Sequence, residues 1–501
     1  MWLADVVDRN RIRYPDRPAL RDSRREVTWA QLHHEVTALA GELGQQLPPG
    51  SRVAMLSGNR LEMIETYLAC AAAGMVVVPV NPGLTEPEIA DILARVDPAL
   101  AVADLAGRGR LAASHPDLPA LAIEEVPGLS AAKGPLSSVG SLTDPFAIMF
   151  TSATTGRPKG VVVDQRSLQL KALSWVGEVP CGPSTVFLNA CPLFHGSVVQ
   201  AFNYLASAST IGVLDGFTPR ACLVALQRWG VQHMLAVPSM LRLLLEAHEL
   251  ATADLRALEL VIHGAAPMPP ELAEQVRTAL GADLMTIFGI TEGGGPTLAL
   301  RDFDRPAAPP VPGAVCVGLP MLGTSFRIAR ADGTPADVGE IGELRLRGDG
   351  LMLGYWRDPA ATAEAVQDGW LNTRDLGCLD ANGYIWVVDR RNDLINRGGQ
   401  NVYPAEIEHA LRRSPNVADI AVVPAASTIW GQTPVAFIQP TAPEAFEEAE
   451  LLALCVTWLA SYKRPSRFVP VPRIPRSPAG KILRNQLRER ADALIAEGEQ
   501  P

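Results

Sequence analysis

Apolar positions in the first hundred residues follow two spacings. Leu32, Val36, Leu39 and Leu43 recur every three to four residues, the period of a helix with one buried face. Thr28 and Gln31, just ahead of them, make a capping box that predicts where this helix starts. Residues 52–56, 75–80 and 99–103 are instead short, nearly continuous apolar runs, as strands covered on both faces would be. Residues 61–74 and 86–96 read as helices between them. A Gly/Ala/Ser/Pro-rich stretch at 127–141 reads as a loop, after which the alternation resumes. Strand-like runs fall at 146–150, 185–190, 210–214, 234–237, 258–262 and 284–288, several of them separated by helical segments. This rhythm predicts the α/β class, with doubly wound, mostly parallel sheets and helices on both faces.

A Pro-rich stretch at 305–312 changes the rhythm. Shorter runs such as 325–328 and 343–347 then predict a β-rich subdomain at about 313–390. The last quarter differs again. Residues 389–399 are charged and end in a glycine pair. A helix at 405–412, strands at 418–423 and 435–439, a helix at 444–459 and a final amphipathic helix from 481 predict a small α+β domain. We expect an N-terminal domain at 1–391, a C-terminal domain at 392–501 and no internal repeat.

Length agrees with this division, since 501 residues exceed one ordinary core. The chain is 48% hydrophobic and 20% charged, with a formal net charge of −10. An acidic chain carries no electrostatic footprint for nucleic acid, although local donors can still hold phosphates. Seven cysteines, an odd number with no CxxC pair, read as reduced and mostly buried thiols of a cytoplasmic protein. Eight histidines without an HExxH or a His/Cys cluster argue against structural zinc. Asp5, Asp8 and Arg9 break up the N-terminus, which does not read as a signal peptide. The most apolar stretch, 68–80, contains Gly74 and Pro79 and is too short to span a bilayer. Whether the chain is a monomer or a homodimer is not set by its sequence.

The segment Phe150-Thr-Ser-Ala-Thr-Thr-Gly-Arg-Pro-Lys-Gly160 carries the first chemical signal. An apolar run ends, and hydroxyls, glycines and a lysine follow. Small residues let backbone N–H groups approach an anion, hydroxyls add donors, and Lys159 adds charge. The order GxxxxGK[ST] is absent, so this is no Walker loop, and a solvated hairpin turn has the same composition.

The segment resembles the phosphate loop of the adenylate-forming superfamily: acyl-CoA synthetases, luciferases and nonribosomal adenylation domains. Further stretches resemble that family's motifs in the same order. They are Pro192-Leu-Phe-His-Gly196, His263-Gly-Ala-Ala-Pro-Met268, Phe288-Gly-Ile-Thr-Glu292, Gly342-Glu-Leu-Arg-Leu-Arg-Gly348, Gly369-Trp-Leu-Asn-Thr-Arg-Asp-Leu-Gly377, Asp389-Arg-Arg-Asn-Asp393, Gly398-Gly-Gln-Asn-Val-Tyr-Pro-Ala-Glu-Ile-Glu408 and Pro475-Arg-Ser-Pro-Ala-Gly-Lys481.

The resemblance implies ATP-dependent activation of a carboxylate as an acyl-AMP, with release of pyrophosphate, and then thioester formation with coenzyme A. It implies that Thr151, Ser152, Thr154, Thr155, Gly156 and Lys159 cradle phosphates. Gly264, Ala265, Ala266, Phe288 and Gly289 would form the adenine slot. Asp375, assisted by Arg390, would hold the ribose. Thr291 would sit near the α-phosphate, and Glu292 would hold Mg2+, which prefers oxygen ligands. Lys481 would bridge carboxylate and α-phosphate, screening their repulsion. The C-terminal domain would rotate about Asn392 between half-reactions, and Gly398 and Gly399 would line the coenzyme A channel.

Three positions depart from the family pattern: Ala153 and Arg374 stand where Gly is usual, and Ala425 where Asp is frequent. By the same resemblance His195, Val199, Phe202, Val237, His263, Gly264, Gly289, Gly293 and Gly294 border the acyl pocket, with His195 also beside the chemistry. No Asp follows Phe194, which disfavours an amino acid. No Arg or Lys lies in these stretches, which disfavours a dicarboxylate. An aromatic or medium-chain acid fits best. His263 either bonds a polar ring substituent or is satisfied in the wall, and Gly293–Gly295 either admits a bulky group or makes a turn. The alternatives are a different acceptor (a carrier-protein thiol, an amine or another small nucleophile) and a non-catalytic nucleotide-binding relative.

Overall fold

The structure, a computed structural model, describes residues 2–129, 136, 138–151, 158–266, 268–301, 304, 306, 308–390, 393–397, 400–427, 430–459, 461–477 and 480–498. Its chain forms two compact units. The first contains Met1–Asp302, Pro320–Ser325 and Arg347–Leu371, and the second contains Phe303–Leu319, Phe326–Leu346 and Asn372–Pro501.

The first unit is α/β and holds two sheets. One runs Gly295–Arg301, Asp283–Ile290, Leu260–Gly264, His233–Ala236, Val186–Asn189, Thr210–Val213, Pro18–Arg21 and Glu26–Thr28. Its six inner strands are parallel and both outer strands antiparallel. The other runs Gly354–Tyr355, Lys159–Asp164, Pro145–Thr151, Val76–Pro79, Arg52–Leu56, Leu100–Ala103 and Ala120–Ala122. The continuous apolar runs read from the sequence are these strands. Val76, Val78, Ala54, Leu56 and Ala101 are buried in one cluster with Ile89, Ile92 and Leu93 of the helix Glu86–Val96. Thr28 caps the helix Trp29–Gln46 and Gln31 returns the bond, as the capping box predicts. Every residue of the helix Leu61–Ala73 is buried, and Gly74 ends it at φ 69°.

The second unit contains a sheet with the order Ser325–Ala329, Gly342–Arg347, Trp370–Leu379, Ile385–Arg390 and Val315–Pro320. It also contains a smaller sheet in which Val417–Ser427 pairs antiparallel with Gly431–Pro440, and Arg467–Pro470 joins in parallel. Strand alternation sends Ile420 and Val422 to one face, with the helices Pro404–Leu411 and Glu448–Trp458, and Ala421, Val423 and Ala425 to the other. There Leu487 and Ala491 of the helix Arg484–Gly498 cover them. Ala425 is 1% exposed, so the aspartate frequent in relatives would be a buried carboxylate here.

Two helix starts differ from the sequence expectation. Residues 443–445 form a separate 3-10 turn, and the helix begins at Glu448. The last helix begins at Arg484 rather than 481, because Arg476 bridges Ile482 and Ser477 N–H donates to the Lys481 carbonyl at 2.7 Å. Among the described residues no helix is long and apolar enough to cross a membrane. All seven cysteines are free and six are buried, and burial pushes the thiols of Cys70, Cys191 and Cys222 up to about 12.

Candidate functional site

The hydroxyl- and glycine-rich loop joins two antiparallel strands. At its base Thr151 stands opposite Lys159 and Phe150 opposite Gly160. The Thr151 hydroxyl reaches the Lys159 carbonyl at 3.5 Å. Ser152, Ala153, Thr154, Thr155 and Gly156 lie outside the described residues.

Thr291 and Glu292 sit on a 3-10 turn between the antiparallel strands Asp283–Ile290 and Gly295–Arg301. Tyr355 links this turn to the loop base. Its hydroxyl donates to Glu292 Oε1 at 2.9 Å, and its ring receives the Lys159 ammonium 4.9 Å from the centroid. The backbone repeats the connection. Met352 N–H donates to the Glu292 carbonyl at 2.9 Å, and Tyr355 is paired with Val161 on the strand that begins at Lys159. A carboxylate has about four acceptor positions, so one bond from Tyr355 leaves Glu292 able to take a hard cation. Among the described residues no three His, Cys, Asp or Glu side chains converge. A cation here would take one protein carboxylate and complete its shell with phosphate and water oxygens.

Glycines around this turn accommodate the protein's own chain. A Cβ on Gly264 would stand 2.4 Å from the Ile287 carbonyl oxygen, and one on Gly289 2.3 Å from the Gly295 carbonyl. Gly294 has φ 76°, and a Cβ there would meet the Gly350 carbonyl at 2.2 Å. Gly293 is buried in the same turn. Ala265, just beyond the strand, is exposed and left-handed at φ 64°, and Ala266 and Phe288 are half-buried.

The segment Cys191–Leu193 is clamped by Asn59, which donates to the Cys191 carbonyl and accepts from Leu193 N–H, and by the Tyr67 hydroxyl on the Leu193 carbonyl. His195 stacks obliquely on Phe194, half-buried, just before the helix Ser197–Ala206. On that helix Val199 is buried against Gly295, while Phe202 packs edge-on to Tyr67. Val237 is buried at the start of the helix Pro238–Leu245. His263 is 1% exposed, with Nε2 bonded to Thr286 Oγ1 at 3.1 Å.

The second unit carries the remaining candidates. Asp375 is 3% exposed, in register with Arg390 on the neighbouring strand. Its N–H donates to Thr373 Oγ1, whose hydroxyl donates to the Leu344 carbonyl. Arg374 adopts φ 63°, which accounts for the glycine usual at this position, and its N–H donates to Asn372 Oδ1. Lys481 is exposed at the end of a short hook. Arg476 secures the hook, donating to the Gly480 carbonyl at 2.9 Å and pairing with Asp419 at 2.7 Å. Asn392, Gly398 and Gly399 lie outside the described residues.

Sequence reasoning missed Tyr355, Arg476 and Lys171. Tyr355 stands in no stretch singled out for chemistry, and only the strand pairing brings it to Glu292. Lys171, on the helix Gln165–Glu178, is 6% exposed, and burial pulls its ammonium down to about 8. One signal was available: Lys171 shares the helical spacing of Leu168, Ala172 and Trp175, so it sits on the apolar face.

The model for the AMP-binding enzyme matches residues 7–356, and the model for the AMP-binding enzyme C-terminal domain matches 406–481. The chain is similar to a feruloyl-CoA synthase of Amycolatopsis sp, 34% identical, with 95% of this chain and 96% of that protein covered. It is 32% identical to a fatty acid–[acyl-carrier-protein] ligase of Streptomyces coeruleorubidus, over 95% of this chain and 94% of the other. Its fold is similar to that of o-succinylbenzoate CoA synthetase from Bacillus subtilis in complex with an acyl-adenylate intermediate. There the TM-score is 0.86 at 28% identity, covering 96% of this chain and 97% of that one.

Proposed function

The chain belongs to the AMP-binding enzyme family, and we propose from that premise that it activates an organic carboxylic acid with ATP and passes the acyl group to coenzyme A. The observation that carries this reading is the connection of Lys159, Tyr355 and Glu292, which joins an anion-binding loop to a cation-binding carboxylate. In the first half-reaction the acid's carboxylate attacks the α-phosphorus and pyrophosphate leaves, so like charges must be brought together. Lys159 with the loop N–H and hydroxyl groups would hold the phosphates. Glu292 would hold Mg2+, which supplies charge neutralisation to them. Thr291 would donate near the α-phosphate, and the flat base would lie along Gly264, Ala265, Ala266, Phe288 and Gly289. Asp375, with Arg390, would take the ribose hydroxyls. Lys481 would place its ammonium between carboxylate and α-phosphate, where two anions keep it protonated. Movement about Asn392 would then exchange Lys481 for the Gly398–Gly399 segment, and the thiol would attack the acyl-AMP. Such chemistry on ATP and coenzyme A suits a cytoplasmic protein.

The test is acid- and coenzyme A-dependent formation of AMP and a thioester. Lys481→Ala should cut acyl-AMP formation by more than about a hundredfold while ATP still binds. Unchanged acyl-AMP formation in that variant would remove Lys481 from the chemistry, whereas a wild type that binds ATP yet forms no acyl-AMP from any acid would favour a non-catalytic nucleotide-binding relative. Similarity to a carrier-protein ligase supports a second reading in which the acceptor is a carrier-protein thiol. Comparing products formed with coenzyme A, a carrier protein and amines separates these.

A further inference from the structure

Lys171 is a buried cation of the first unit that the chemistry above leaves unused. Its side chain runs along the turn that follows Glu292. The Lys171 Cγ lies 3.9 Å, and the Val199 Cγ1 2.9 Å, from the point where a Cβ on Gly295 would stand. Its ammonium lies 3.4 Å from the corresponding point on Gly350 and 3.5 Å from Thr324 Oγ1, a long contact with a neutral hydroxyl. No carboxylate among the described residues is within ion-pair reach of it. A buried ammonium without a counter-charge is costly, and a protein that keeps one gains something elsewhere.

The polar atoms nearby are also unsatisfied. Ser174, one turn along the same helix face, has a buried Oγ with no partner among the described residues. On the facing helix Ser197–Ala206, Asn203 follows Val199 by one turn; its amide N–H donates to Gln200 Oε1 at 2.8 Å, and its Oδ1 is buried and has no partner among the described residues. Buried polar atoms are ordinarily bonded, so a cation together with the orphan oxygens of Ser174 and Asn203 implies an absent polar partner that offers an acceptor to the ammonium and, as a hydroxyl or a water can, a donor to Asn203 Oδ1.

We propose that Lys171 sets the substrate class: it receives an oxygen acceptor at the end of the acid remote from the reacting carboxyl, a hydroxyl or a second carboxylate. This deepens the acid-activation reading and rests on it. It also revises the expectation against dicarboxylates, because Lys171 lies on the helix Gln165–Glu178, outside the stretches that lack Arg and Lys.

The experiment compares benzoate and cinnamate, each unsubstituted and with a para hydroxyl or para carboxylate. Pyrophosphate release is followed with the full-length wild type, Lys171→Met and Lys171→Gln. In the wild type, kcat/KM should favour an oxygenated acid over its parent by about 10–100-fold, the value of a hydrogen bond to a buried charge. Lys171→Met should remove that preference and leave the parent acid within about threefold, with Lys171→Gln in between. Loss of a lone buried charge should also leave both variants at least as heat-stable as the wild type, which shows that they fold. An equal fall on parent and substituted acid, or no preference in the wild type, overturns the assignment of Lys171 and leaves acid activation standing. A wild type that turns over no acid of the panel and no medium-chain acid overturns both.

Discussion

At the scale of single residues, the tyrosine between Lys159 and Glu292 makes the sharpest demand. Tyr355 holds Glu292 Oε1 by one hydrogen bond, and a bond to a charged group is worth about 1.5–3 kcal/mol. Tyr355→Phe keeps the ring against Lys159 and removes the hydroxyl's bond to Glu292. We expect pyrophosphate release to fall about tenfold, with half-saturation shifted to higher Mg2+. A magnesium titration that superimposes on the wild type would refute the role. His233 makes a different prediction, about stability. It lies buried on the strand His233–Ala236, with Nδ1 2.8 Å from the Tyr204 hydroxyl. Burial, aided by Arg301, pulls its pKa down to about 4, and the exposed Glu259 carboxylate at 3.9 Å does not offset this. The folded state thus prefers the neutral ring, whereas the unfolded chain takes its proton near 6.5. Stability from this group is therefore present above about pH 6.5 and lost as pH falls toward 4, by up to about 1.4 kcal/mol per unit. Melting temperatures at pH 7.5 and 5 should diverge more for the wild type than for His233→Gln, and parallel curves would contradict this. Motif residues such as Lys159, Glu292 and Lys481 could be read from sequence because they lie in contiguous segments. Tyr355 could not, because Glu292 lies more than fifty residues away, and for Lys171 the spacing shows the apolar face it sits on but not the distant groups it meets.

At the scale of elements, the strands were the most legible. Unbroken runs of Val, Leu, Ile and Ala have few alternatives to a doubly covered sheet. Glycines were less legible. Gly264 reads as room for a flat ring, yet the strand beside it already requires that glycine, since any Cβ would strike the Ile287 carbonyl. The sequence predicts the final helix from Lys481, but it starts at Arg484, after a hook. Ser477, Gly480 and Lys481 instead exchange backbone bonds, an arrangement that no periodicity encodes. Arg476 then fastens the hook to Asp419 on the strand Val417–Ser427. Arg476→Ala should slow acyl-AMP formation about tenfold by loosening Lys481, while thioester formation from supplied acyl-AMP stays near the wild-type rate. Equal loss in both half-reactions would point to general damage.

At the scale of the whole molecule, family membership and α/β class were legible because nine motifs follow one another over nearly the full length. The composition of the second unit was not. Residues 303–319 and 326–346 belong with residues 372–501, because strand pairing ignores order along the chain. The hook has a mechanical consequence at this scale. Arg476 ties it to a sheet whose two faces are both packed with apolar side chains, so the backbone that carries Lys481 has little freedom of its own. Under the proposed chemistry its amine would be mounted like a tooth on a gear, engaging or disengaging as the wheel turns. Charge needed for one step could then be withdrawn from the next without any loop having to melt.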